Sequence, residues 1–130
     1  MLKLKQISES PNHILRVQGE IDASNSVQLD EAMQEAIQTG TKSILVDCLG
    51  LEYISSAGLG VFMSYLEDFK EEGISFKIYG LSEKVFEVFK ILGLDQLIPI
   101  FTDKEAALAI INGEVCHHVI GVIQLLPEGA

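Results

Sequence analysis

The stretch Leu51-Glu52-Tyr53-Ile54-Ser55-Ser56-Ala57-Gly58-Leu59-Gly60 decides the fold of this 130-residue chain. It follows the apolar run Ile44-Leu45-Val46-Asp47 and leads into an amphipathic run from Leu59 to Phe69, an order typical of strand, loop and helix. Two serines stand where the helix should begin, and serine is a favoured N-cap because its hydroxyl accepts a hydrogen bond from an orphan N–H. Two glycines follow, and glycine lets another backbone or a ligand approach closely. The stretch therefore predicts a corner between a strand and a helix, for which the rest of the chain forms the supporting scaffold.

Short apolar or alternating segments predict the strands of a sheet. The predicted strands are Leu2–Ile7, a segment that begins at Leu15, Ser43–Asp47, Phe76–Tyr79 and Ile98–Phe101. The turn Ser10-Pro11-Asn12 joins the first two as a hairpin. Strands that alternate with helices imply parallel crossovers. We therefore expect an α/β fold: a mixed, mostly parallel sheet of about four to five strands with four helices and an N-terminal β-hairpin.

Four segments have apolar residues spaced three and four apart, as amphipathic helices do. The residues expected to face inward are Leu29, Ala32, Met33, Ala36 and Ile37 in the first helix; Leu59, Phe62, Met63, Leu66 and Phe69 in the second; Val85, Val88, Phe89 and Leu92 in the third. The fourth helix should begin at Thr102-Asp103 and run through Leu108 and Ile111.

The chain divides into one domain over residues 1–112 and an apolar C-terminal extension over residues 113–130. The extension carries Val115, Val119, Ile120, Val122, Ile123, Leu125 and Leu126. So many apolar side chains would form an adhesive patch if they were exposed. We expect the extension to pack on the domain, as an added strand for example, or to form a contact in a homodimer.

The composition excludes several classes of protein. The formal net charge is −10, from 19 acidic residues against 9 Lys and Arg, and binding to nucleic acid needs clustered basic residues. Two cysteines, Cys48 and Cys116, do not make a disulfide framework. No signal peptide and no stretch long enough to insert in a membrane is visible. We expect a reduced, cytoplasmic protein.

The sequence offers little for catalysis. Gly58-Leu59-Gly60 lacks the third glycine of a dinucleotide-binding turn, because Met63 holds that place. No histidine is placed as a base for Ser55 or Ser56, and the adjacent triplet Cys116-His117-His118 does not have metal-site spacing. We expect no catalytic residues, no metal site and no cofactor.

Two acidic residues fall at predicted strand ends, the edge where α/β proteins place their sites. Asp22 follows the second strand and Asp47 closes the third. Taken alone, each is expected to cap a following turn, as Ser55 and Ser56 are expected to cap the helix. Their joint position in one fold favours a functional site.

Two motifs resemble those of STAS domains, specifically the anti-sigma factor antagonists. Leu45-Val46-Asp47, Leu51 and Tyr53-Ile54-Ser55-Ser56-Ala57-Gly58-Leu59-Gly60 resemble the signature motif, and Gly19-Glu20-Ile21-Asp22-Ala23 resembles the second. The resemblance covers residues 1–112. It departs from the family at Ser55, where Asp is common, and at Ala57, where Ser or Thr is common.

The resemblance implies a binding protein rather than an enzyme, switched by phosphorylation. The unphosphorylated form would bind an anti-sigma factor with serine kinase activity and release a sigma factor; phosphorylation would end that binding and a serine phosphatase would restore it. Ser56 matches the phosphoacceptor, with Ser55 as the alternative. The partner-binding residues implied are Asp22, Ser24, Ser55, Ser56, Ala57, Gly58 and Gly60. The alternative function is an accessory module of a transporter or sensory complex, without phosphorylation.

Overall fold

The computed structural model describes residues 2–109. In chain order the elements are β1 (Lys3–Glu9), β2 (Asn12–Ile21), α1 (Ser26–Gln38), β3 (Ser43–Ile54), α2 (Ser56–Glu72), β4 (Ser75–Tyr79), α3 (Glu83–Ile91), a 3₁₀ turn (Leu94–Gln96), β5 (Ile100–Phe101) and α4 (Lys104–Leu108). The strands form one sheet in the order β1-β2-β3-β4-β5. The predicted fold class is confirmed, including the N-terminal hairpin.

The sheet is antiparallel only between β1 and β2, and the other three pairs of strands are parallel. Each parallel pair is joined by a crossover that contains a helix or the 3₁₀ turn. A large buried cluster on one face joins residues of the sheet to α1, α2 and α3, for example Val46, Met33, Phe62 and Phe89. A smaller cluster joins Ile14, Leu45, Tyr79 and Phe101 to Ala107 of α4. The two clusters together bury both faces of the sheet at its centre.

Strand β3 is longer than the sequence predicted, and this moves Asp47 away from a strand end. β3 runs on to Ile54, because it continues to pair with β2 through two register shifts. Asp47 lies in mid-strand, buried, where one carboxylate oxygen accepts a hydrogen bond from Arg16 Nε at 3.2 Å and the other from the backbone N–H of Leu49 at 3.0 Å. Asp47 is therefore part of the sheet and does not belong to the edge that carries Asp22.

Two residues predicted to be in the core are exposed. Met63 of α2 is 48% exposed, and Tyr65 takes its place on the buried face. The phenol of Tyr65 is accommodated there because its hydroxyl donates to the Asp30 carboxylate of α1 at 2.6 Å. Leu92 is 53% exposed, because α3 ends at Ile91 and Leu92 is its C-cap.

The predictions for the C-terminal extension, residues 113–130, lie outside the described residues. So do the candidate metal ligands Cys116, His117 and His118 and the expected end of the last helix at Ile111. The start of that helix is described, and Asp103 caps it by accepting a hydrogen bond from the Ala106 N–H at 2.8 Å. The proposed packing of the extension stays a prediction.

Candidate functional site

The start of α2 is fixed by hydrogen bonds from Ser55. Its backbone N–H donates to the carbonyl of Ile21 at 2.8 Å, and its carbonyl accepts from the N–H of Leu59 at 3.0 Å. Its hydroxyl oxygen accepts from the N–H of Gly58 at 3.3 Å, the bond of a helix N-cap. Ser55 is half-buried. It joins the end of β2 to the beginning of α2 and so positions the residue that follows it.

Ser56 is the first residue of α2, and its side chain is exposed. The first N–H groups of a helix have no partner within the helix, and the helix dipole adds partial positive charge there. An anion covalently attached at Ser56 would therefore lie in a favourable position. Of the two adjacent serines, Ser56 presents its hydroxyl to solvent, whereas the Ser55 oxygen serves the helix cap.

Asp22 lies at the same edge of the sheet, because Ile21 and Ile54 are paired residues at the ends of parallel strands. One oxygen of its carboxylate accepts three hydrogen bonds, from the Ser24 hydroxyl at 2.6 Å, the Ser24 N–H at 2.9 Å and the Asn25 N–H at 3.2 Å. The hydrogen bond from the Ser24 hydroxyl is the main cause that lowers the pKa of Asp22 below its ordinary value. The Asp22 carboxylate is therefore fixed in position by these hydrogen bonds and is ionised at neutral pH.

Asn25 also organises this loop, and the sequence reasoning did not single it out. Its side-chain oxygen accepts from the Asp22 N–H at 2.8 Å, and its amide nitrogen donates to the Glu20 carbonyl at 3.0 Å. The backbone at Asn25 occupies the N-cap position of α1, where its side chain makes no capping bond. Asparagine just before a helix is a recognisable signal, but its partners here lie upstream in the loop.

The two glycines of the signature have different surroundings. Gly58 is buried, and an added Cβ would lie 2.6 Å from Ile21 Cγ2 and 2.9 Å from Ile54 Cγ1. Gly60 is exposed, and an added Cβ would have no atom within 4 Å. Gly58 thus allows α2 to pack closely on the ends of β2 and β3, and Gly60 leaves open surface beside Ser56. Ala57, between Ser56 and Gly58, is half-buried.

The helices α1 and α2 each carry an exposed apolar side chain. Val27, the second residue of α1, is 65% exposed. Met63 lies seven residues after Ser56 and so projects from the same face of α2 as Ser56 and Gly60. An exposed methionine beside polar groups is typical of surfaces that bind other proteins.

The described residues offer no arrangement for metal or histidine chemistry at this corner. His13 lies at the other end of β2, where its Nε2 is 2.6 Å from Gln6 Oε1, and burial lowers its pKa. Within residues 2–109 no group of three His, Cys, Asp or Glu side chains could hold a metal ion. In the same range no helix has the length and apolar character needed to cross a membrane.

Comparison with known proteins gives consistent results. The anti-sigma-B factor antagonist of Staphylococcus epidermidis is 29% identical over 97 residues, which cover 75% of this chain and 90% of the relative. The anti-sigma factor antagonist SpoIIAA in its unphosphorylated form has a TM-score of 0.67 at 21% identity, covering 86% of this chain and 100% of that one. The phosphorylated form of SpoIIAA, from Bacillus, has a TM-score of 0.63 at 18% identity, with the same coverage of both chains.

A sulfate transporter family protein from Wolinella succinogenes has a TM-score of 0.67 at 14% identity, covering 88% of this chain and 92% of that one. At these identities the solved structures share the fold with this chain. The family itself follows from the sequence match, because residues 5–107 of the 130 match the STAS domain. This chain belongs to the STAS domain family.

Proposed function

We propose that the chain is an anti-sigma factor antagonist, a binding protein in which phosphorylation of Ser56 ends the binding of an anti-sigma factor with serine kinase activity. The observation that carries the proposal is the placement of the two serines: Ser55 caps α2 and Ser56 is exposed at its first position. The name of the Staphylococcus epidermidis relative supports the partner class. The solved phosphorylated form of SpoIIAA supports phosphorylation as a state of this fold.

A phosphate at Ser56 would leave the fold intact and change the surface. The helix N-terminus favours an anion, so the modification does not oppose the local structure. It adds about −1.5 to −2 charges at neutral pH on the face of α2 that also carries the exposed side chain of Met63. A partner that covers this face of α2 would also have to desolvate the phosphate, which weakens binding. A serine phosphatase would restore the binding form.

Asp22 and Ser24 are proposed to contribute to partner recognition. The Ser24 hydroxyl and the backbone N–H groups bind one oxygen of the Asp22 carboxylate, so the second oxygen can accept a hydrogen bond from a partner. A basic group on the kinase would suit this carboxylate and the net charge of −10. Asp22→Asn keeps the shape and removes the charge, so it should impair partner binding or phosphorylation more than stability.

Calorimetric binding to the cognate anti-sigma factor tests the switch. We expect Ser56→Ala to bind as the wild type does, and Ser56→Asp to bind on the order of tenfold to a hundredfold more weakly, because one carboxylate only partly imitates a phosphate. Ser8→Asp adds the same charge at an exposed position near the opposite end of the sheet, and it should bind normally. Equal binding by the wild type and Ser56→Asp would refute the proposal.

The site of phosphorylation is tested separately by intact-mass analysis after incubation with ATP and the kinase. The expected result is one phosphate on the wild type, located by fragmentation to Ser56. Ser56→Ala should not be phosphorylated at the wild-type rate. Modification of Ser55 alone would require its hydroxyl to leave the helix cap and would identify the alternative acceptor. Full modification of Ser56→Ala away from residues 55 and 56 would contradict the assignment.

The second candidate function is an accessory module of a transporter or a sensory complex, without phosphorylation. It is favoured by one observation, the structural similarity to a sulfate transporter family protein. Co-purification with a membrane transporter, together with binding that Ser56→Asp does not change, would support this function and exclude the first. Binding to an anti-sigma factor that Ser56→Asp weakens would exclude the second.

A further inference from the structure

An apolar groove lies at the end of the sheet opposite to Ser56. It has a volume of about 910 Å³ and is formed where the C-terminal half of α2 meets the start of β4 and the segment before β5. Its apolar lining consists of Leu66, Phe69, Ile74, Phe76, Leu97 and Pro99. A volume of this size is in the range of cavities that hold a drug-sized ligand, and it can therefore receive several side chains.

The groove runs along an edge of the sheet that is only partly covered. β4 pairs with β3 along the whole length of β4, but it pairs with β5 only at Ile78 and Tyr79. Within the described part of the chain, Phe76 has no strand neighbour on the β5 side. Leu97 is 60% exposed at the rim of the groove. An apolar surface next to an unpaired strand edge promotes association with another segment or another chain.

We propose that residues 113–126 of this same chain bind in this groove. This inference goes beyond the proposed function and does not depend on Ser56, which lies at the other end of α2. The segment has the matching chemistry: from Val115 to Leu126 it contains no Asp, Glu, Lys or Arg, and β-branched residues are frequent, as in strands. Its apolar side chains fill the groove, and its backbone can pair with the open edge of β4 at Phe76.

The chain length permits this contact. The described residues end at Ala109, directly after α4, and α4 packs beside β4 and β5. α4 packs on the face of the sheet away from the groove, and an extended chain spans at most about 3.3–3.6 Å per residue, so residues 110–126 together are long enough to pass around the β5 edge. An intramolecular segment also needs no second molecule to cover the groove, and the linker gives it a high effective concentration.

Hydrogen exchange of the full chain, read by mass spectrometry on peptides from residues 113–126, tests the proposal. The wild type should show protection of this segment at concentrations where the protein is a monomer. Leu97→Asp places a charge in the groove and should speed exchange in the segment by about tenfold or more. Leu97→Ser is a milder variant with an effect in the same direction. Ile91→Asp is the matched control, because Ile91 is 78% exposed and does not line the groove.

Three outcomes would overturn the proposal. One is a segment that exchanges freely in the wild-type monomer. Another is protection that Leu97→Asp and Ile91→Asp change equally, which would place the segment elsewhere. The third is protection that appears only when light scattering shows a dimer, which would make a second copy the occupant. Unchanged exchange in the peptide that covers Ile44–Val46 shows that each variant is folded.

Discussion

Replacing Gly58 by alanine should destabilise the domain, although alanine favours helices. The added Cβ would lie 2.6 Å from Ile21 Cγ2 and 2.9 Å from Ile54 Cγ1. Both contacts are with buried side chains close to the backbone, so the helix or the strand ends must shift. Overpacking of this kind costs about 1–3 kcal/mol, and the gain from replacing glycine in a helix is about 0.5–1 kcal/mol. The difference is about 0–2.5 kcal/mol, and we expect a net loss near the middle of that range, roughly 1 kcal/mol.

Gly60→Ala is the matched control, two residues further along the same helix. No atom lies within 4 Å of its added Cβ, so the helix preference of alanine acts alone and should stabilise the domain by about 0.5–1 kcal/mol. Urea unfolding followed by circular dichroism measures both variants. With a slope of about 1–3 kcal/mol per M, a change of 1 kcal/mol moves the midpoint by roughly 0.3–1 M.

The two variants should therefore move the unfolding midpoint in opposite directions. If Gly58→Ala raises the midpoint as Gly60→Ala does, then α2 does not pack closely on Ile21 and Ile54, and the reasoning is wrong. Partner binding gives a second comparison. Gly60→Ala should weaken binding only if the partner approaches the backbone of α2 at that point, because its fold is unaffected.

Three further predictions concern stability. Phe62→Ala should lower the free energy of unfolding by about 3–5 kcal/mol, since Phe62 is fully buried and packs against Phe76 and Phe89. A loss well below 1 kcal/mol in urea unfolding would contradict the assignment of Phe62 to the buried face of α2. Ser55→Ala removes the N-cap and should cost about 0.5–2 kcal/mol, with Ser64→Ala, an exposed position of the same helix, as the control in the same assay. Burial lowers the pKa of His13 below 6.5, so the stability that neutral His13 contributes is present above pH 6.5 and is lost as the pH falls towards the folded-state pKa. Thermal unfolding of His13→Gln should therefore show a smaller loss of stability on acidification than the wild type. Identical pH profiles of the two proteins would disprove this role of His13.

The sequence predicted those features that depend on local patterns. Alternation from Leu15 predicted β2, and the paired serines predicted where α2 begins. The length of β3 was missed, because Cys48, Leu51 and Ile54 are buried at intervals of three. Two register shifts against β2 produce that spacing, and a period of three does not indicate a strand.

Other errors came from contacts between elements that are distant in sequence. Met63 and Tyr65 are both adjacent to the apolar face of α2, and sequence periodicity favours the aliphatic side chain. Tyr65 can be buried because the Asp30 carboxylate of α1 accepts a hydrogen bond from its hydroxyl, a contact that spacing within α2 does not reveal. Asn25 was missed for a similar reason, since its role depends on the course of the loop back to Glu20.

The sheet narrows towards the end that carries Ser56. All five strands pair at the level of Val46, but Gly19–Ile21 and Leu51–Ile54 pair only with each other among the described residues. This two-stranded ribbon is nevertheless part of the core, because its buried side chains, Ile21 and Ile54 among them, belong to the same cluster as Phe62. Its other side chains, such as Tyr53, are exposed, and substitutions there can change how the corner meets a partner while the melting temperature of the domain stays nearly constant. Recognition and stability are in this way assigned to different side chains of one ribbon, and the exposed ones can change without the buried ones.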